Sequence, residues 1–193
     1  VSYEYSDANP FWNPEKNDID FKYYIEKNNL AKPDLLFTFL TGNGLYVPYS
    51  NEFITHEKYA TKFLEQFHKD FPDALIGVMG IELPCCNGGV TACYGAQGYY
   101  HDWYGDTVTT LNYDKWLENF TKLEEHASYM TYFDIKSQFD SEYSYPVELV
   151  KVNNRSEILE RIGTNGLHPS IDGYKQIGDA FYRFLVEMVK KIK

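Results

Sequence analysis

Positive charge is scarce in this chain of 193 residues: 18 lysines and arginines stand against 28 aspartates and glutamates, a formal net charge of -10. The acids run along the whole length, so no basic face is available to grip phosphate backbones or anionic lipid, and nucleic acid is not an expected partner. Long apolar runs are missing as well. The longest, Leu35 to Leu40 and Ala74 to Gly80, fall far short of the roughly 20 residues that cross a bilayer, so no membrane span is expected. The first residues do not form a charged and then apolar leader. Val1 in place of Met reads as a processed or truncated start, which leaves the compartment open, with a secreted or virion-associated setting favoured.

Cysteine is equally sparse. Cys85, Cys86 and Cys93 share one glycine-rich stretch, and an odd count leaves a thiol over, which excludes a disulfide framework. Adjacent cysteines bridge each other only with strain, so any bridge would join Cys93 to Cys85 or Cys86. The three thiolates and His101 form a chemically possible zinc set, but the spacing lacks a CxxC knuckle. No metal and no other cofactor is expected.

What is present is the composition of a folded protein, with 44% hydrophobic and 24% charged residues, and its length suits one domain over 1–193. Apolar residues three and four apart predict a short helix over Asp20 to Asn29, stopped by Pro33. Asp34 to Leu40 reads as a buried strand, Glu57 to Phe71 as a helix ended by Pro72, and Ala74 to Gly80 as a second buried strand. Residues 81–113 break the pattern with glycines and aromatics. They read as an insertion that is either a solvated excursion or a substrate rim in which Tyr99, Tyr100 and Trp103 offer flat faces to a sugar. Helical spacing resumes from Tyr113 to His126, Tyr129 to Ile135 reads as a third strand, and a polar connection runs through Asn153, Asn154 and Arg155. A last helix spans Ile171 to Ile192 with a stripe at Tyr174, Ile177, Phe181, Leu185, Met188 and Val189. Buried strands alternating with helices predict an α/β fold with a parallel sheet. Three such strands are fewer than the roughly five of a doubly covered sheet, so a further strand is expected upstream.

His56, His68 and His126 read as solvated residues on helix faces, and Glu124-Glu125 as a solvated acidic pair. His168 is different. It stands in the turn of GTNGLHPSIDGY, between Gly166 and Pro169 and just ahead of an amphipathic helix, where backbone constraint positions it as a general base.

This stretch resembles the last consensus block of the SGNH, or GDSL, hydrolases, a DxxHP followed by GY and a terminal helix, with His168, Pro169, Gly173 and Tyr174 matching. The run PDLLFTFLTGNG from Pro33 to Gly44 resembles the family's strand ending in GxND. The NPFWNP, NGGV, YGA and QFDSE stretches resemble the branch found in gut bacteria and their phages. The resemblance implies a flavodoxin-like three-layer α/β/α sandwich with a parallel sheet. It further implies a serine ester hydrolase acting on acyl or acetyl esters, commonly of carbohydrate, that needs no metal. His168 would be the general base, and Asn43 with the Gly42 amide would form the oxyanion hole.

Three departures accompany it. No GDS block precedes Asn43, and Ser2 and Ser6 lack its setting, so the nucleophile is expected outside this chain, in an N-terminal half that was removed, cleaved or supplied as a separate polypeptide completing the sheet. Asn165 replaces the family aspartate, a change that costs about 10⁴ in turnover in a protease triad; Asp172 or a main-chain carbonyl is an alternative partner for the imidazole. Thr41 and Gly44 stand where GxND has Gly and Asp. Two readings result: an esterase completed by other polypeptide, or a non-catalytic glycan-binding or virion-surface module on the same scaffold. An unrelated redox or metal protein built on the cysteines is the third.

Overall fold

The computed structural model describes residues 9–39, 51–86, 103–166 and 168–192, with side chains from Ile54 and Thr107 onward in the helices that begin at 51 and 103. In chain order the elements are β1 (Trp12–Asn13), β2 (Asp18–Ile19), α1 (Phe21–Lys27), β3 (Leu35–Phe39), α2 (Asn51–Asp70), β4 (Leu75–Met79), α3 (Trp103–Thr121), β5 (Met130–Phe133), β6 (Val147–Lys151), β7 (Leu159–Gly163) and α4 (Ile171–Val189). A 3₁₀ turn, Lys136–Gln138, follows β5. The protein is a mixed α/β structure built on a parallel sheet of order β3-β4-β5, with two small antiparallel pairs, β1-β2 and β6-β7.

The parallel register places Leu35 beside Leu75, Phe39 beside Met79, and Met79 beside Phe133. Alternate side chains therefore leave the sheet on opposite sides. Leu36, Ile76, Val78, Met130 and Tyr132 enter a core shared with Phe21 of α1, Phe63, Leu64 and Phe67 of α2, and Tyr113, Leu117 and Phe120 of α3. Phe37, Phe39, Met79 and Phe133 meet Ile177 and Ala180 of α4. Gly77 lies under this second contact: a Cβ there would come within 2.7 Å of the Phe184 ring. Among the described residues β3 pairs only with β4. Its run Leu-Leu-Phe-Thr-Phe has the apolar continuity of an interior strand, yet four of its five residues are only half-buried.

Local chemistry explains several element ends. Asp20 caps α1 by accepting from the Tyr23 amide at 2.9 Å, and Asn13 reaches the same carboxylate at 3.0 Å. The helix stops well before Pro33. Asn29 adopts a left-handed φ of 51°, and the Leu30 and Asn29 amides donate back to the Ile25 and Glu26 carbonyls, a Schellman stop.

Several sequence expectations need correction. Helix α2 begins at Asn51 rather than Glu57, and α3 begins at Trp103 rather than Tyr113 and ends at Thr121, so the irregular insertion is shorter than 81–113. The polar connection around Asn153 is the turn of the β6-β7 hairpin. On α4 the expected stripe holds at Met188, which is buried, and at Ile177 and Phe181, which pack on the sheet, whereas Tyr174 and Val189 are each 53% exposed. Gly173, Ala180 and Phe184 are buried as well, the two small residues letting the helix approach closely. His126 is not solvated: it is 3% exposed, and its Nδ1 lies 2.9 Å from the Phe120 carbonyl. His56 pairs with the Tyr113 hydroxyl at 2.9 Å and His68 stacks on Tyr129 with ring centroids 3.4 Å apart, so neither is a plain surface residue. Burial lowers the pKa of both His56 and His68.

Candidate functional site

The turn carrying His168 is assembled before the helix it precedes. Ser170 caps α4, its hydroxyl accepting from the Gly173 amide at 3.2 Å, as expected of a serine at a helix N-cap. The Ser170 amide in turn donates to the Ser144 carbonyl at 2.7 Å. Pro169 is buried beside it. Gly173 is required here: an added Cβ would stand 2.3 Å from the Ser144 oxygen and 2.7 Å from Pro169 Cβ. His168 itself is exposed, so rigid backbone holds an accessible imidazole.

Its partner is the residue that the sequence offered, Asn165. The His168 amide donates to Asn165 Oδ1 at 2.8 Å, and Asn165 Nδ2 lies 3.4 Å from His168 Nδ1. Since the amide oxygen must face the main-chain N–H, the side-chain nitrogen faces the ring. An NH₂ group only donates, so Nδ1 acts as acceptor and the neutral ring carries its proton on Nε2. A carboxylate in the same place would accept from Nδ1–H and leave Nε2 free to take a proton, the tautomer used by a general base. Asp172, the alternative partner, pairs with Lys175 at 2.8 Å.

The turn is also tied to the carboxyl end of the sheet. After β4 the chain runs through Gly80 to Cys86, and the later part of this exit segment, Leu83 to Cys86, bonds outward at three points. The Tyr145 hydroxyl donates to the Leu83 carbonyl at 2.9 Å, the Cys86 amide to the Ser141 carbonyl at 3.1 Å, and the Cys85 amide to the Gly166 carbonyl at 3.5 Å. Ligands of open α/β sheets bind outside the carboxyl ends of the strands, and His168 belongs to that end. Cys85 is buried and Cys86 half-buried, and neither is in a disulfide. Burial, then the neighbouring Cys85, pushes the Cys86 thiol up.

A charged cluster not anticipated from the sequence lies at the root of the exit segment. Asp114 of α3 is 1% exposed. Its Oδ1 accepts from the Ile81 amide at 2.8 Å, while its Oδ2 has no aligned donor and faces Lys136 Nζ at 3.3 Å. Lys136 also donates to Asp134 at 2.6 Å and to the Tyr132 hydroxyl at 3.2 Å. Burial pushes Asp114 up to about 6 against the pull of the Ile81 amide and Lys136. Burial likewise pushes Glu82 up to about 7, with the charge of Asp114 adding to it. Burial opposes the Lys136 ammonium, but its bonds to Asp134 and Tyr132 outweigh this and raise it. The sequence signal was available: Asp114 shares the inward face of α3 with Leu117 and Thr121, where an apolar residue is the rule.

The expected oxyanion residues Gly42 and Asn43, and the rim residues Tyr99 and Tyr100, lie outside the described residues. So do Cys93 and His101. Trp103 is the first residue of α3, and its side chain is likewise outside the description. Among the described residues no three His, Cys, Asp or Glu side chains converge as a metal site, and no helix is long and apolar enough to cross a membrane.

No protein-family model matches the chain, and no curated protein and no solved structure matches it significantly.

Proposed function

We propose that this chain is the C-terminal part of a serine ester hydrolase of the SGNH type, on a flavodoxin-like α/β/α sandwich, acting on acyl or acetyl esters of carbohydrate. The carrying observation is the placement of His168: an exposed imidazole on a turn fixed by Pro169, Ser170 and Gly173, bonded through Gly166 to the segment that leaves β4. A parallel sheet with helices packed against both of its faces supports the same reading. Among the described residues β3 is paired on one side only, which fits a sheet continued by other polypeptide.

In this mechanism His168, in the tautomer with its proton on Nδ1, takes at Nε2 the proton of a serine hydroxyl supplied outside the chain as the serine oxygen attacks the ester carbonyl. Asn43 and the Gly42 amide hold the resulting oxyanion, a term worth about 10² to 10³ in rate per donor in proteases. The protonated ring then returns its proton to the departing alcohol. Water, deprotonated by the same ring, releases the acid and restores the serine. Tyr99, Tyr100 and Trp103 would form the rim against the sugar.

The test is intact mass spectrometry after treatment with a fluorophosphonate, combined with p-nitrophenyl acetate turnover of the intact sample and of His168→Ala. An adduct on a co-purifying polypeptide, with turnover lost in His168→Ala, supports the proposal. An adduct on this chain removes the external serine, and turnover unchanged in His168→Ala removes the base.

A second reading, a glycan-binding or surface module without turnover, is favoured by one observation. The Asn165 amide nitrogen faces His168 Nδ1, which leaves Nε2 as a donor suited to holding a hydroxyl or carbonyl oxygen and not to accepting a proton.

A further inference from the structure

Asp114 is difficult to explain as a stabilising residue. A buried carboxylate loses its hydration, and replacing such groups with neutral ones of similar shape is often neutral or favourable. Asparagine would accept the same Ile81 amide without burying a charge, and Lys136 would keep its bond to Asp134.

What the carboxylate holds is the start of the exit segment. The backbone passes directly over it: a Cβ on Gly80 would stand 2.5 Å from the Tyr132 hydroxyl and 2.8 Å from Asp114 Oδ1. One residue later the Ile81 amide is fixed by that same oxygen. The segment then carries the Leu83 carbonyl, held by Tyr145, and the Cys85 amide, held by Gly166 of the His168 turn. A second path closes the loop, because the stretch from Asp140 to Tyr145 bonds both to Cys86 and, through the Ser144 carbonyl, to Ser170.

We propose that Asp114 is a positioning residue for His168: it clamps the segment 80–86 to α3, and that segment holds the turn carrying His168 in place. The inference rests on the reading of His168 as the functional histidine. The groups facing Asp114 are Glu82 and the Ile81 amide from the β4 exit, and Tyr132, Asp134 and Lys136 from β5 and the residues after it. Burial beneath the segment pushes the carboxyl up to about 6; opening returns it to water, so the protonated form favours the closed segment and the clamp loosens as the pH rises from about 5 to about 7.5. Even part of that difference between the closed and the open segment changes local opening about tenfold.

The experiment is hydrogen exchange of the intact chain between pH 5 and pH 8, corrected for intrinsic rates, in wild type, Asp114→Asn, Glu82→Gln and Lys136→Met. Wild type should lose about tenfold protection at 80–86 and at 164–170 together as the pH rises to about 7.5. Asp114→Asn should hold both segments at the low-pH level throughout, with protection in α2 unchanged. Glu82→Gln should keep the step, and Lys136→Met should move its midpoint to higher pH, which covers the case in which Asp114→Asn does not fold. Loosening of 80–86 without 164–170, or a step that survives in Asp114→Asn, overturns the proposal. A step lost in Glu82→Gln overturns it too. Coupling present in a sample that shows no ester turnover supports the clamp and counts against the hydrolase alone.

Discussion

Helix α4 contains two glycines that the same substitution should affect in opposite directions. At Gly178 an added Cβ meets nothing within 4 Å, so Gly178→Ala should stabilise by about 1 kcal/mol, the ordinary helix-propensity difference. At Gly173 the same methyl would lie 2.3 Å from the Ser144 carbonyl oxygen. That oxygen belongs to the main chain and already accepts from the Ser170 amide at 2.7 Å, so it cannot swing aside like a side chain. Overpacking costs about 1 to 3 kcal/mol, and weakening the Ser170 bond about 1 more. Against these stands the same propensity gain of about 1 kcal/mol, for a net loss near 2. In a domain of this size each kcal/mol moves Tm by roughly 2 to 4 °C. Gly178→Ala should therefore raise Tm by about 2 to 4 °C, and Gly173→Ala should lower it by about 4 to 8 °C. Urea unfolding followed by circular dichroism and tryptophan fluorescence measures both, with an unchanged m-value confirming that the change is one of stability. If Gly173→Ala is as stable as the parent, the close packing of α4 on Ser144 and Pro169 is wrong, and with it the rigid mounting of His168.

Three further outcomes are expected. Nitrogen-15 NMR of the neutral ring should find the His168 proton on Nε2 in the wild type and on Nδ1 in Asn165→Asp, and identical tautomers would refute the reading of the 3.4 Å contact. Stability should fall as pH rises from 5 to 7.5. A carboxyl whose folded-state pKa lies above its unfolded value, about 6 for Asp114 and about 7 for Glu82, favours the fold when protonated and withdraws that support as pH rises through the raised pKa. For Asp114 a two-unit rise corresponds to about 3 kcal/mol at neutral pH; a flat denaturation profile over this range would contradict it. Phe184→Ala should cost about 3 to 5 kcal/mol, since that buried ring fills the space between Gly77, Phe37 and Phe133, and a urea midpoint near wild type would show the α4 contact to be misjudged.

The parallel sheet was legible because its strands are short apolar runs between clear stops, and Leu35–Phe39 and Leu75–Met79 differ from expectation by one residue at each end. The hairpin was not. Val147–Lys151 and Leu159–Gly163 are largely exposed on both faces, so no buried face imposes a strong period. The start of α3 was hidden by Gly105 and the threonines of GDTVTT, poor helix formers in isolation, which tertiary packing of Thr109, Tyr113 and Leu117 overrides. At the site, His168 and Asn165 were readable from one turn motif. Asp114 was readable only as a carboxylate on the inward face of α3; its partner, an amide 33 residues away, was not, because no local pattern announces such a pair.

The β6-β7 hairpin has a kinetic consequence. Leu149, Ile158 and Leu159 are 63%, 69% and 52% exposed, and a two-stranded ribbon with little buried apolar surface is marginal by itself. It should open as its own cooperative unit, far below the free energy of global unfolding. Under native conditions trypsin should therefore nick the chain first at Arg155, at a rate set by hairpin opening while the sheet and α4 stay folded. The two fragments should elute together, joined through β5 and α4, until denaturant separates them.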